Sequence, residues 1–455
     1  MRLPREVAQG FSPAISAALK GCATFVVIGV CCQSGIRAKA AGKDTFTHVF
    51  DLAHPSELVA LVRAHCAPCS WGEAGREAAA IRVLVDGKYS QHILLARGDV
   101  AAEYTITLGT LAAGHHLIAI DRDPRLSAAR AGPATIDRVD IDVLSAAGGD
   151  DALAQSMAPI LHARPNTIGR FTDLPVLMWY EIVPTPRGRQ FRYSVIFTNE
   201  DGGTATDRLM ATWGRTTDIE FVYGAEIDAQ GAVVAEEFQG PGHEVPTFKG
   251  RHEGRHPLLW VSTDNNMVSE SGSTSVRYAP APERAALRDV AREVVMDRHP
   301  WSYRVAAQEM QREGKIVDDA AAGSGRIPDL RRFVFVEACT ELENAAVVFA
   351  VRVLENGAPR WYDSDRGLRE FRVARSGCFR GAVPVPATAS APDAVRFRAY
   401  SLPPKDGQTP GPASVRLTRV NRVFVLGDYY APRPSTYSWI GSVVLPVDGD
   451  WQVVR

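Results

Sequence analysis

The run Ala80-Ile-Arg-Val-Leu-Val-Asp-Gly-Lys-Tyr alternates in hydrophobic character and then reverses at Asp86-Gly87. That dipeptide closes two-residue hairpins because it tolerates the positive φ that both central positions need. Runs of the same kind follow at 91–95, 103–108, 114–121 and 136–143, placing five or six strands within about 65 residues. Strands this short with turns this frequent bury their apolar faces by stacking two antiparallel sheets, so a β-sandwich is expected here.

The pattern continues. Segments 175–183, 192–198, 218–223, 232–238 and 257–263 read as strands between turn clusters, as do 332–339, 345–354, 369–373, 395–400, 415–426 and 438–447. Helical spacing is confined to 55–65 (Leu58, Leu61, Val62), 282–296 (Ala286, Leu287, Val290, Val294) and 301–313, the last two parted by Pro300. Segment 148–158 reads as a linker or a short helix. A chain of 455 residues exceeds one compact core. The expected fold is mainly β, with two or three antiparallel sandwich domains of jelly-roll or Ig-like type and a short helical segment near 282–313. The expected boundaries are a leader at 1–40, an N-terminal sandwich at 41–147, a central β-rich unit at 159–316 ending in two helices, a linker at 317–328 and a C-terminal sandwich at 329–455.

The leader rests on its own pattern. Arg2, Arg5 and Lys20 precede an uncharged run from Ala23 to Cys32, followed by Arg37 and the small-x-small site Ala38-Lys39-Ala40. These are the parts of a secretory signal, and the apolar run is too short to span a bilayer as a helix. Cleavage after Ala40 gives a secreted or periplasmic protein. A lipid anchor on Cys31 or Cys32 is the alternative address, and a buried N-terminal helix is a third reading. Without 1–40 the chain carries 46 Lys and Arg against 51 Asp and Glu, a net charge near −5. That balance, with no long basic run, speaks against a nucleic-acid partner. Four cysteines remain, Cys66, Cys69, Cys339 and Cys378, an even number suited to an oxidising compartment. Local pairing, 66 with 69 and 339 with 378, is the simplest of three arrangements.

Within 80–143, Val85-Asp-Gly87, Tyr104-Thr-Ile-Thr-Leu-Gly109, Gly114-His-His-Leu-Ile-Ala-Ile120 and Ile136-Asp-Arg-Val-Asp-Ile-Asp142 resemble the jelly-roll modules that bind carbohydrate in secreted proteins. Those modules carry an alternating Gly-x-His-x-Leu strand and end in an Asp-x-Val strand. The resemblance implies a sugar-binding sandwich. Its aromatic platform would have to come from Trp71, Tyr89 and Tyr104, standing exposed.

Polar chemistry is densest in 198–266. Thr198-Asn-Glu-Asp-Gly-Gly-Thr-Ala-Thr-Asp207 offers oxygen ligands of the kind Ca²⁺ or Mg²⁺ prefers, or else simply makes turns. Asp218 and Glu220, two apart on a strand, share a face, where they either hold a cation or raise each other's pKa. His243, His252 and His256 follow, without the spacing of a zinc motif. Asp201, Asp207, Asp218, Glu220 and His243 are the metal candidates, and Asp218, Glu220 and His256 the catalytic ones.

The order of these residues is similar to the secreted necrosis- and ethylene-inducing-like proteins. Their Gly-His-Arg-His-Asp-Trp-Glu heptapeptide holds a divalent ion in a β-sandwich. Only Asp218 and Glu220 match it: Ile219 replaces its Trp, and Arg215-Thr216-Thr217 occupy the His-containing positions. That departure removes the His part of the site and leaves cytolytic activity unsupported. Cys66-Ala-Pro-Cys69 lacks the surroundings of a redox dithiol and is expected to be structural. The nucleophile elbow, phosphate-binding loop and dinucleotide fingerprint are all missing.

Two functions compete on these residues. One is an exported protein binding carbohydrate or another cell-surface polymer. The other is a metal-assisted hydrolase or lyase of an extracellular glycan, whose acid, base and ligand groups must converge in one concave pocket.

Overall fold

The computed structural model describes residues 36–38, 42–145, 148–200, 202–404 and 411–454. Residues 1–35 and 39–40 of the leader and Asp201 lie outside the described residues; leader residues 36–38 are described as a strand on Ala134–Leu144, which a cut after Ala40 would remove. The fold is mainly β, as the alternation predicts, and it stacks sheets in pairs.

In the first pair, strands Ile36–Ala38, Ala134–Leu144, Ser56–Cys66 and Ala102–Leu111 lie side by side, with Gly42–Lys43 also on Ala134–Leu144. The facing sheet runs Thr45–Leu52, Gly114–Asp123, Ala80–Val85, Lys88–Leu94. Leu58, Val62, Ile81, Val83, Ile118, Ile136 and Val139 fill the space between them. The Asp86-Gly87 turn is where the sequence places it, with both residues at positive φ (51° and 73°).

Segment 55–65 is not a helix. It forms strand Ser56–Cys66, paired on both sides. Leu58 and Val62 fit helical spacing, but with Ala60, Ala64 and Cys66 they also alternate inward, and two neighbouring strands decide the matter.

The second pair stacks the five-stranded sheet Val233–Phe238, Asp218–Asp228, Gly188–Phe197, Pro175–Thr185, Glu283–Arg284 on a smaller one. That smaller sheet is built around His256–Val261 and Ile160–His162. Helix α1 (Gly149–Ser156) occupies the segment read as linker or helix. Helix α2 (Thr206–Trp213) begins at the end of the polar loop 198–207, where turns or cation ligands are expected. The expected helix at 282–296 shrinks to α3 (Val294–Arg298), because Glu283–Arg284 pairs with Trp179 and Tyr180, and Asp289 takes a positive φ of 60°. Helix α4 (Trp301–Arg312) matches its expectation.

In the third pair, Gly377–Pro384, Phe333–Glu343, Ser414–Val425 and Tyr437–Val444 face Ala358–Asp363, Ala345–Glu355, Ala394–Ser401 and Gln452–Val453. Val336, Val347, Phe349, Phe397, Leu417 and Val420 pack between them. The expected strand at 369–373 is a single 3₁₀ turn, Arg369–Phe371. Cys339 and Cys378 sit directly opposite in register and are bonded, as are Cys66 and Cys69. Reducing the longer bridge, which closes a separation of 39 residues, should destabilise the chain by about 4 kcal/mol on chain-entropy grounds. Urea unfolding of Cys339→Ala/Cys378→Ala measures it.

Helices α3 and α4 fill the seam between the second and third pairs with Val295, Met296, Tyr303, Ala306 and Met310. Trp71, Phe171, Tyr278 and Val305 join the first pair to the second. Among the described residues no helix is long and apolar enough to cross a membrane.

Candidate functional site

Gly214 ends α2 in the left-handed region, φ 60°, and turns the chain into strand Asp218–Asp228. A Cβ at Gly214 would approach Arg380 Cγ to 2.8 Å, so this turn admits only glycine. Asp218 and Glu220 then emerge on one face, as their spacing predicts. Asp218 is buried. It accepts a hydrogen bond from Asn266 Nδ2 at 3.0 Å, and the Arg215 guanidinium lies 3.6 Å away. Arg215, also buried, donates through Nε to Glu293 at 3.2 Å. Glu220 accepts from Gln239; burial pushes its carboxyl up, against the opposing pull of Arg292, that hydrogen bond, Arg215 and His243.

Burial pushes the Asp218 carboxyl up to about 8; the like charge of Glu220 adds to this, and Arg215 opposes it without prevailing. The folded chain therefore holds a proton at Asp218 that the unfolded chain has released, from its ordinary 3.8 up to about 8. Stability should fall as pH rises through that window, since the folded state binds more protons there. Asp218→Asn should lessen the fall, leaving the part that comes from Glu309 and Glu220, whose carboxyls burial also raises, and thermal melts at about pH 5 and about pH 9 read the difference.

The metal candidates do not assemble. Asp207 is buried in the first turn of α2, where its carboxylate accepts from the Gly323 and Arg208 backbone N–H groups at 2.7 and 3.0 Å. His243 is exposed on a 3₁₀ turn. His256, a catalytic candidate, is buried elsewhere, with Nδ1 2.8 Å from the Ala158 carbonyl and Nε2 2.9 Å from Glu57. It ties the second sheet pair to the first. Among the described residues no three His, Cys, Asp or Glu side chains are placed to hold an ion. At Asp218 and Glu220 the reason is visible: a guanidinium and two side-chain amides already occupy the carboxylate oxygens. A divalent ion does not fit that donor set.

The aromatic candidates change meaning. Trp71 is fully buried: its Nε1 donates to Glu309 at 2.9 Å, its ring meets Phe171 edge-on, and Arg312 covers one face at 5.2 Å. It is a keystone under α4 and not a platform. Tyr89 is half-buried, its hydroxyl 2.7 Å from His92 Nδ1. Tyr104 is half-buried, its hydroxyl accepting from the Arg97 N–H at 3.3 Å and pushed up to about 12 by burial.

Tyr104 nonetheless lines a cleft of about 490 Å³ between the first and second sheet pairs. The segment 279–281 forms one edge by adding to strand Ala102–Leu111: Thr107 N–H donates to Ala279 O at 2.9 Å, and Ala281 N–H to Thr105 O at 3.0 Å. Trp301, at the start of α4, stands half-exposed in the same cleft with the Arg97 guanidinium 4.9 Å from its ring. Glu283 bridges His299 at 2.7 Å and Arg298 at 3.2 Å, and Glu103 and Gln155 complete the polar lining. In the sequence Trp301 stands only as a residue of the 301–313 helix. Its one local signal is a large aromatic directly after Pro300, at the first position of the helix. A second cleft, of about 520 Å³, contains Tyr89, His92 and Asp123.

Sheet pairing and cores define the class as a mainly β protein of stacked antiparallel sandwiches. No protein-family model matches the chain, and no curated protein matches it. Solved structures resemble parts of it, of the two kinds the sequence suggests. A carbohydrate-binding module, CBM36, in complex with calcium and xylotriose is 13% identical over 24% of this chain and 99% of its own, with a TM-score of 0.19. A family 35 carbohydrate-binding module from Clostridium thermocellum is 16% identical over 24% of this chain and 98% of its own, TM-score 0.17. NLPPya in complex with mannosamine is 12% identical over 30% of this chain and 73% of its own, TM-score 0.23.

Proposed function

We propose that this is an exported protein that binds carbohydrate or another extracellular polymer, and that it does so in the cleft between the first and second sheet pairs. The observation that carries the reading is the composition of that cleft. Two half-buried aromatic side chains, Tyr104 and Trp301, share it with Glu103, Arg97, Gln155 and the His299–Glu283–Arg298 cluster. A sugar presents an apolar ring face with hydroxyls around its edge, and it is held by aromatic faces with a few placed charges and amides. Export rests on the leader and agrees with the pairing of all four remaining cysteines. N-terminal sequencing of the secreted product and a thiol titration test it, with a start after Ala40 and no free thiol expected.

Binding is tested with the intact chain on an array of neutral and acidic polysaccharides. Trp301→Ala should weaken capture at least tenfold, about 1.4 kcal/mol. Equal capture by the variant would remove the cleft from the account. The rival, a metal-assisted hydrolase or lyase at 198–266, has the protonated Asp218 beside Glu220 in its favour. It is less well supported because those groups face Arg215, Asn266 and Gln239.

A further inference from the structure

The second cleft opens on the outer face of the sheet that carries Ala80–Val85 and Lys88–Leu94. On its wall Tyr89 Oη lies 2.7 Å from His92 Nδ1, and His92 Nε2 lies 3.3 Å from Asp123 Oδ2. His92 and Asp123 are buried, while Tyr89 is half-exposed to the cleft. Burial works to raise the Asp123 carboxyl, but hydrogen bonds from the Arg125 backbone and side chain and from His92 hold it below the usual carboxylate range. An ionised Asp123 fixes the imidazole proton on Nε2, so Nδ1 is the acceptor and the Tyr89 phenol donates to it. A hydroxyl, an imidazole and a buried carboxylate in hydrogen-bonded series can carry a proton; burial pushes the Tyr89 phenol up and the His92 imidazole down, so at rest both are neutral and Tyr89 gives up its proton only as it takes one from substrate. The Arg277 backbone N–H also donates to Tyr89 Oη at 3.1 Å, placed to stabilise negative charge on that oxygen.

We propose that Tyr89 is a general acid–base residue for β-elimination on a uronic-acid-containing glycan bound in this cleft, with His92 and Asp123 as positioning residues. Arg82 and Arg125 stand at the rim; Arg82 is paired with Asp121 at 2.6 Å, and the Arg125 side chain is 81% exposed. Asp121 already holds Arg82 through two nitrogens, so it is the exposed Arg125 guanidinium, 3.4 Å from Asp123, that suits a substrate carboxylate, whose neutralisation makes the adjacent C–H bond acidic. Asp123 is turned to His92, so the cleft's one carboxylate is not aimed at a glycosidic bond, and elimination fits better than hydrolysis.

The step balances without water or an oxidant. Tyr89 passes its proton to His92 Nδ1, and its phenolate oxygen takes the proton α to the carboxylate. The C–H electron pair becomes a C=C bond, and the C–O bond at the β-carbon breaks with its pair on the leaving oxygen. Tyr89 protonates that oxygen and is refilled from the imidazolium. One chain becomes two, one of them with an unsaturated end. His92 also lines the cleft with Trp301, but of the two clefts Tyr89 and Asp123 line only this one, and the proposal does not depend on binding at Trp301.

The test incubates the full chain with polygalacturonate, alginate and hyaluronate and follows unsaturated ends by ultraviolet absorbance. At least one polymer should yield product. Tyr89→Phe should lower the rate at least about 100-fold, the lower end of what acid–base catalysis contributes. Asp123→Asn should lower kcat with KM unchanged, which a merely structural defect would not do. Tyr89→Phe should still be captured by polysaccharide as the intact chain is, because Tyr89 does not line the Trp301 cleft, so failure of one site is distinguishable from failure of the other. No product from any of the three polymers, or an unimpaired Tyr89→Phe, overturns the proposal.

Discussion

Arg380→Leu should destabilise the chain by about 3–5 kcal/mol, the range expected when one partner of a buried ion network is removed. Arg380 is wholly buried on strand Gly377–Pro384. Its Nη2 reaches Asp297 at 2.6 Å and Glu337 at 2.7 Å, and its Nη1 donates to the Tyr303 hydroxyl at 2.7 Å and the Glu293 carbonyl at 3.0 Å. These partners lie on α3, on α4, on the residue before α3 and on strand Phe333–Glu343, so one guanidinium joins the helical seam to the C-terminal sandwich. Leucine fills part of the volume but leaves Glu337 with only the Asn421 side chain and the Ala291 N–H as donors. Chemical denaturation should show a lower midpoint, with the third sheet pair loosening from the helices. An unchanged midpoint would mean that the network is neutral to folding.

Trp71→Ala should cost about 4 kcal/mol, the middle of the range for a large aromatic lost from a core. The loss has two parts. The cavity would open against Phe171 and the face of Arg312. Glu309, fully buried and pushed up to about 7 by that burial, would also lose the indole donor that favours its ionised form. Trp71→Phe should recover much of the packing and none of the hydrogen bond. The difference between the two variants in denaturant midpoint therefore separates the terms. If Trp71→Ala instead abolished saccharide binding with stability intact, the ring would be a platform after all.

The contrast between Trp71 and Asp218 shows what the sequence could and could not reveal. Strand alternation is a local signal, so the hairpin at Asp86-Gly87 and the shared face of Asp218 and Glu220 were legible from neighbouring residues. The partners that decide what those residues do are distant in the chain. Trp71 is buried by Glu309, 238 positions away, and Asp218 is covered by Asn266, 48 positions away. No local pattern announces either.

Segments 55–65 and 282–296 were misread for a related reason. Leu58, Leu61 and Val62 satisfy two periodicities at once, and pairing with distant strands chose the extended one. Ala286, Leu287, Val290 and Val294 fit a helix, yet the backbone is committed to Pro175–Thr185 on one side and to the Asp289 turn on the other. Helix α2 was missed because its eight residues begin in a polar loop, where Thr206 and Asp207 look like turn formers.

The same distinction applies to function. Tyr104 is a candidate from an aromatic-bearing strand, but its cleft partner Trp301 comes from helix α4, far along the chain, and is visible only once the chain has folded. Isothermal titration of the intact chain and of Trp301→Ala, against whichever polysaccharide the array captures best, tests the account most directly. The account predicts a saturable heat for the intact chain and at least tenfold weaker binding for the variant, with both proteins melting at the same temperature. Equal affinity, or no heat with any captured polysaccharide, would contradict it.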